Sequence, residues 1–430
     1  MNENHPSHLP LALSDADHAL RLDPNLAEGH FNRALILERL GLRDPARKEW
    51  QRYLEVDPSS EWNLEARAHL HALDGNSGKF DPRLLEREPP EQLVRRFPQE
   101  TRTYAEGLLL AEWADAEAAN DSAAASAKLA RIAALARALA AFNGEQLLGD
   151  AVAAIESATG ERRRSLVQAY RTYRDARIEY SKRNAGAAET QFRRAAGLFA
   201  RGGSPMASVA TYYAACASSD QQAGGAARDE LAQLLSSIDA NRHRALAAQI
   251  RWQLAVIANT AGDWGTGARE ADAAAAMFRT LGEELNAAFM DNAAASAFER
   301  MGERDLAWDR RVRTNAIFGA RGDRARQTTV LHGAATALAS RDEIPAAVAL
   351  IDLMIEDARG DAAQLAATLA ERAGDSIRSE DFAAARRSIA EARDAAARVG
   401  DGALREVVRL QIDLADATLL RAASDPTTRR

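Results

Sequence analysis

The 430-residue chain holds a single cysteine, Cys216, which excludes an internal disulfide framework and any zinc site built from several thiolates. Prolines number 12, and sustained alternations of valine, isoleucine and threonine are missing, so no segment reads as a strand. No apolar run reaches the length of a signal peptide or a membrane span, and a reducing, cytoplasmic setting is expected. Neither sign of charge dominates. With 55 basic against 62 acidic residues and a net charge of −7, there is no basic footprint for a nucleic-acid backbone or an anionic membrane. What remains is apolar but poor in rings: 47% hydrophobic and only 6% aromatic, mostly alanine and leucine, which is a helical composition.

The strongest pattern is a recurrence. Leu22-Asp23-Pro24 returns as Val56-Asp57-Pro58, a spacing of 34 residues from proline to proline. Inside that interval Ala34, Leu37, Gly41, Ala46, Trp50 and Tyr53 stand where a helix-turn-helix repeat needs them. Ala34 and Ala46 let two antiparallel helices touch, Gly41 allows the turn, and Trp50 and Tyr53 project toward the next hairpin. One such hairpin cannot bury its own apolar face, so neighbours are required.

Further along, turns followed by alanine-rich helices recur at Gly262-Asp263-Trp264, Gly302-Glu303-Arg304, Arg341-Asp342-Glu343 and Ser379-Glu380-Asp381, at intervals of 40, 39 and 38 residues. The expected fold is therefore all-α: a TPR-like (tetratricopeptide-like) α-solenoid, a right-handed superhelix of antiparallel helix pairs. Three segments are expected. Residues 1–75 carry N-terminal hairpins after a polar lead, residues 76–160 a proline-rich connector around Pro82, Pro89, Pro90 and Pro98 with bridging helices, and residues 161–430 repeats of period about 38–40. Leu404 to Ala422 reads as the first helix of a further repeat without its second, so the chain is expected to be the front part of something longer.

Chemistry is sparse. Cys216 sits in a helical segment with no histidine nearby in sequence, which favours a small buried apolar residue over a nucleophile. His69 and His71 fall on different helix faces, and no metal-ligand spacing is present. Gly262-x-x-Gly265-x-Gly267 has a helix before it instead of a strand, so it reads as a turn between helices, not a phosphate cradle. The clusters Arg162-Arg163-Arg164 and Arg310-Arg311 with Arg313 read as solvated helix faces. No catalytic constellation, metal site or cofactor site is expected.

A repeat array offers a groove instead. The first helix of each pair should line it, with Glu28, Phe31, Leu35 and Glu38 in the first hairpin. The unit before Gly262 contributes Gln249, Trp252, Val256 and Asn259, and the next Phe289, Asn292, Ser296 and Glu299. Amides there can pair with a peptide backbone, and Trp252 and Phe289 can accept apolar side chains. The competing reading is that long side chains simply fill a narrow superhelix.

The front hairpin resembles TPR repeats, in which many members carry, at the place of Asn32, an asparagine that bonds a bound peptide's backbone; Arg174, Gln253 and Ala293 stand there in later units. Phe31 to Leu35, Trp50 to Trp62, Leu93 to Glu100 and Arg201 to Pro205 resemble the N-terminal TPR region of bacterial proteins that carry a C-terminal CHAT domain, a caspase-like peptidase. The peptidase half itself has no counterpart in the sequence. That resemblance implies a sensor or substrate-docking arm whose catalytic part is absent or encoded separately. The leading expectation is a non-catalytic scaffold that binds a protein or peptide in its groove; a helical arm of a transcription regulator would require a DNA-binding module that the sequence does not display.

Overall fold

A computed structural model describes residues 8–73, 80–221 and 224–424. Every regular element among them is helical. In chain order these are α1 (Leu9–Leu22), α2 (Ala27–Arg39), α3 (Arg43–Val56), α4 (Asn63–Leu73), α5 (Leu84–Arg87), α6 (Pro90–Arg96), α7 (Pro98–Tyr104), α8 (Leu110–Ala118), α9 (Ser122–Asn143), α10 (Leu147–Ser157), α11 (Gly160–Ser181) and α12 (Ala185–Gly202). There follow α13 (Met206–Asp220), α14 (Gly224–Ser237), α15 (Arg244–Thr260), α16 (Trp264–Thr280), α17 (Glu284–Met301), α18 (Arg304–Ala320), α19 (Arg324–Ala339), α20 (Ile344–Ala358), α21 (Ala362–Arg378), α22 (Phe382–Ala397) and α23 (Gly402–Ser424). Successive helices pair repeatedly, as in a TPR-like α-solenoid. None of the helices is long and apolar enough to cross a membrane.

Packing gathers the chain into two units: residues 78–301, and residues 1–77 together with 302–430. The three consecutive segments expected above follow chain order, whereas packing joins the first of them to the tail of the third.

In the second of these units the front hairpin forms as its residues dictate. Ala34, Leu37, Ala46 and Trp50 are fully buried between α2 and α3. Gly41 takes φ +75°, and the Leu42 N–H donates to Leu37 O at 2.9 Å while the Gly41 N–H donates to Glu38 O at 2.8 Å, a left-handed helix stop that only glycine adopts without strain. The hairpin's distant partner is not its sequence neighbour. α1 packs on α20 and α3 on α18, and one apolar core holds Leu13, Leu37 and Trp50 together with Trp308, Leu350 and Ile351. Asn315 Nδ2 donates to Leu40 O, and Gln327 Nε2 donates to Gly41 O at 3.1 Å. A Cβ on Gly41 would sit 2.5 Å from the Ala316 Cα, so this glycine serves both the turn and the contact with α18.

The turns between later helices share a device. Gly262, Gly302 and Gly322 have positive φ, as do Asp342 and Glu380, and each lies just beyond a helix C-terminus. Asp263, Asp323 and Asp381 then cap the next helix, accepting from the backbone N–H three residues on. Gly262 to Gly267 is accordingly a helix stop followed by the first turn of α16.

Two expectations require correction. The polar lead is helical from Leu9, because Pro10 sits in the first turn of α1, where its missing N–H costs nothing. The proline-rich connector likewise holds α5, α6 and α7, since Pro90 and Pro98 each open a helix instead of interrupting one.

The unit of residues 78–301 has a core in which Trp113, Tyr170, Tyr173, Phe192 and Phe199 meet. It also buries a charged network. Arg102 donates through Nε and Nη2 to Glu283, at 2.6 and 3.0 Å, and through Nη1 to Glu106 at 3.1 Å, beside a π-helical turn at Ala105–Leu109. Glu145 accepts the N–H groups of Leu147 and Ala245, at 2.9 and 2.7 Å. Three carboxylates thus face one buried guanidinium. Burial first, and the charges of Glu145 and Glu283 after it, push the Glu106 carboxyl up to about 7 against the pull of Arg102.

Three outcomes follow. Trp50→Ala should lower unfolding free energy by about 3–5 kcal/mol in urea melts, while Trp62→Ala, at a half-exposed ring, should stay within about 1 kcal/mol. Gly41→Ala should cost more than about 1 kcal/mol, since it meets both positive φ and the α18 backbone. Between the ordinary carboxyl pKa and about 7 the folded state holds one more proton on Glu106 than the unfolded state, so this group's contribution to stability falls as pH rises through that window. Glu106→Gln should flatten the fall, read as urea midpoints at about pH 5 and about pH 8.

Candidate functional site

In the front hairpin, the N-terminal half of α2 carries Glu28, Phe31 and Asn32 on one face, one helical turn apart. These three line a pocket of about 290 Å³ with Ala27, Tyr53, Asp57 and Trp62. Phe31 is not a free-standing ring: it meets Trp50, Tyr53 and Trp62 edge-on at centroid distances of 4.9, 5.2 and 5.5 Å. Glu28, Asn32 and Leu35 also border a neighbouring cleft of about 620 Å³ against α1. Glu38 is engaged elsewhere. It lies 2.7 Å from Nδ1 of His69, whose imidazole stacks on Trp50 at 4.9 Å.

The predicted residues of α15 and α17 also come together, within residues 78–301. Trp252 and Phe289 lie 4.8 Å apart, and Trp252 meets buried Phe278 at 6.0 Å. Each ring is half-buried against this cluster of alanines and Met290, so part of its area fills the repeat. Asn259 Nδ2 donates to Ala293 O at 3.4 Å, and the side-chain oxygens of Asn259 and Asn292 are shielded from solvent with no hydrogen-bond donor among the described residues. Ser296 donates to Asn292 O at 3.2 Å, while Gln249 and Glu299 are half-buried and Val256 is exposed.

The arginine clusters are solvated only in part: Arg162, Arg164 and Arg313 are exposed as expected, whereas Arg163 and Arg310 are half-buried. Arg163 binds Glu117 with two hydrogen bonds, at 2.8 and 2.6 Å, and lies over Trp113 at 5.6 Å, while Arg162 Nη2 donates to Gly202 O at 3.2 Å. Arg311 is buried outright. Pairing with carboxylates and stacking on a ring offset the desolvation that sequence patterning alone cannot reveal.

One groove was missed altogether. α19, α21 and α23 line a trough of about 610 Å³, with Thr328 and His332 from the first, Thr368 and Glu371 from the second, and Leu414 and Thr418 from the third. Met354, Ala370 and Ala415 add apolar surface. His332 Nδ1 lies 2.9 Å from Glu371 Oε2, and that bond holds the imidazole above its ordinary pKa. The signal was available as hydroxyls and amides at helical spacing on three alternate helices, but it lacks the aromatic residues that drew attention to Trp252 and Phe289.

Cys216 is buried, and burial pushes its thiol up to about 12, which suits packing and opposes nucleophilic chemistry. Among the described residues no three His, Cys, Asp or Glu side chains are grouped to hold a metal ion.

No protein-family profile and no curated protein sequence matches the chain. Solved structures similar to it include a signal-transduction ATPase with numerous domains (STAND) bearing a tetratricopeptide-repeat sensor, from Pyrococcus horikoshii, at 11% identity and TM-score 0.47 over 90% of this chain. The chain spans 55% of that protein's length. A Rap protein complexed with competence and sporulation factor is similar at 14% identity and TM-score 0.44, covering 92% of this chain and 99% of its own. Yeast Tom70 is similar at 13% identity and TM-score 0.38, covering 98% and 88%.

The His332–Glu371 pair makes a pH prediction. Its contribution to stability should be full below the ordinary histidine pKa and lost as pH rises through the higher folded value. In an NMR titration His332 should titrate above a free histidine, and Glu371→Gln should bring it down.

Proposed function

We propose that this chain is a non-catalytic scaffold that binds a protein or peptide along faces formed by the first helices of its repeats. The observation that supports it best is the trough on α19, α21 and α23. An apolar floor there is rimmed by Thr328, Gln364, Thr368, Gln411 and Thr418, side chains able to donate and accept hydrogen bonds. Leu414 stands at its edge, 70% exposed. A peptide chain laid across three helices would desolvate these apolar atoms and find partners for its backbone groups on the rim. Trp252, Phe289, Asn259 and Asn292 on α15 and α17, with Gln249, Ser296 and Glu299 beside them, form a second binding face in this proposal, and Glu28, Phe31, Asn32, Leu35 and Glu38 a third. No cofactor, metal, nucleic acid or membrane is part of it, and a reducing cytoplasmic setting goes with a lone buried thiol.

A narrower reading makes the chain a sensor or substrate-docking arm for a CHAT-type peptidase encoded separately. It rests on the resemblance of Phe31 to Leu35 and Trp50 to Trp62, and it requires that a purified peptidase of that type change its cleavage rate when the chain is added.

The scaffold proposal is tested by affinity capture from the source cells followed by reconstitution with the purified partner. Leu414→Glu removes an exposed apolar anchor without touching the core, so it should leave the circular dichroism unchanged and weaken binding at least about tenfold. Undiminished binding by this variant would remove the trough from the proposal, and capture of no partner by the folded wild-type chain would remove the scaffold.

A further inference from the structure

The pocket on the front hairpin has a chemistry of its own, different from the trough's. Three of its walls are aromatic, Phe31, Tyr53 and Trp62, and the Trp62 ring is 52% exposed. Two more are carboxylates, Glu28 and Asp57. Glu28 makes no hydrogen bond or ion pair among the described residues. Asp57 accepts from the Tyr53 hydroxyl at 3.1 Å and from the Ser60 N–H at 3.2 Å, both neutral donors. The nearest arginine along α3, Arg52, is bonded instead to Glu55 at 3.0 Å and to Asn25 Oδ1 at 3.2 Å. Two carboxylates and three aromatic rings, Tyr53 the most buried of them, therefore border one small space with no cation among its described lining residues.

We propose that this pocket, formed by Glu28, Phe31, Tyr53, Asp57 and Trp62, binds an organic ammonium group, namely the side-chain head of a lysine on a protein partner. Ring faces attract a cation through their quadrupole, most strongly where water is partly excluded, and carboxylates within reach add charge-assisted hydrogen bonds. Size points the same way. At about 290 Å³ the space is at the lower limit for whole small-molecule ligands and suits a single side chain. Asn32 borders both this pocket and the neighbouring cleft. This site is separate from the trough on α19, α21 and α23, so it stands or falls independently of what that trough takes.

The test uses the full chain and two capped tripeptides, acetyl-Gly-Lys-Gly-amide and its norleucine counterpart, which keeps the alkyl stem and lacks the charge. The readout is the Trp62 indole N–H resonance, assigned by its loss in Trp62→Phe. The lysine peptide should shift that resonance saturably in the millimolar range, and the norleucine peptide should bind at least about tenfold more weakly. Glu28→Gln, an exposed position with no partner to disrupt, should weaken the lysine peptide by about fivefold or more, with the helical circular dichroism retained. Choline serves as the free small-molecule arm. Binding weaker than the lysine peptide's supports a protein-borne lysine, and tighter binding overturns that assignment. Equal binding of the two tripeptides, or no shift up to about 50 mM with the fold intact, overturns the ammonium site itself.

Discussion

Everything in this protein depends on helices touching through alanine. Ala255, Ala271 and Ala294, from α15, α16 and α17, form a buried cluster in which none retains exposed surface, and Ala34 and Ala46 do the same between α2 and α3. Small side chains allow backbones to approach closely, so many weak dispersion contacts take the place of a few large ones. The cost is that any one helix pair buries little apolar area. A pair becomes stable only when neighbours cover its remaining face, which is why the chain needs so many pairs and so few rings.

That constraint explains where the larger and the charged side chains go. Aromatic residues concentrate in two clusters, around Tyr170, Tyr173 and Phe199 in one unit and Trp50 and Tyr53 in the other. Arg102, Glu106, Glu145 and Glu283 take positions that an apolar core would normally fill; the Arg102–Glu283 bonds tie α7 to the start of α17, and Glu145 ties the segment before α10 to α15. A buried guanidinium facing three carboxylates adds little net stability, but misregistered packing would leave charges unpaired, and that is strongly unfavourable. The faces left over, lined by hydroxyls, amides and a few half-exposed rings, are the ones available to a partner.

The front hairpin was fully legible, because Ala34, Gly41, Ala46, Trp50 and Tyr53 each perform a local task that a 34-residue spacing encodes. The later turns were legible for the same reason: a glycine, or a polar residue such as Asp342 or Glu380, in left-handed conformation is a local signal, reinforced at Asp263, Asp323 and Asp381 by a side chain that caps the next helix. Local signals misled at Pro90 and Pro98, where a proline opening a helix looks like one breaking it. The docking of α3 on α18 was not legible at all. Asn315 and Leu40 are 275 residues apart, and nothing in either segment names the other. Of the expected binding residues, the structure gathers Glu28, Phe31 and Asn32 into one pocket and Trp252 and Phe289 into another contact, whereas the trough on α19 and α21 lacks the rings by which such faces are noticed.

The most direct test is Ala271→Leu, placed at the centre of the three-alanine contact. If backbone proximity holds the repeats together, the added methyl groups must force α15, α16 and α17 apart, and thermal and urea unfolding should show a loss of about 1–3 kcal/mol. An unchanged or higher melting temperature would mean that the interior has room to spare, and would contradict the account.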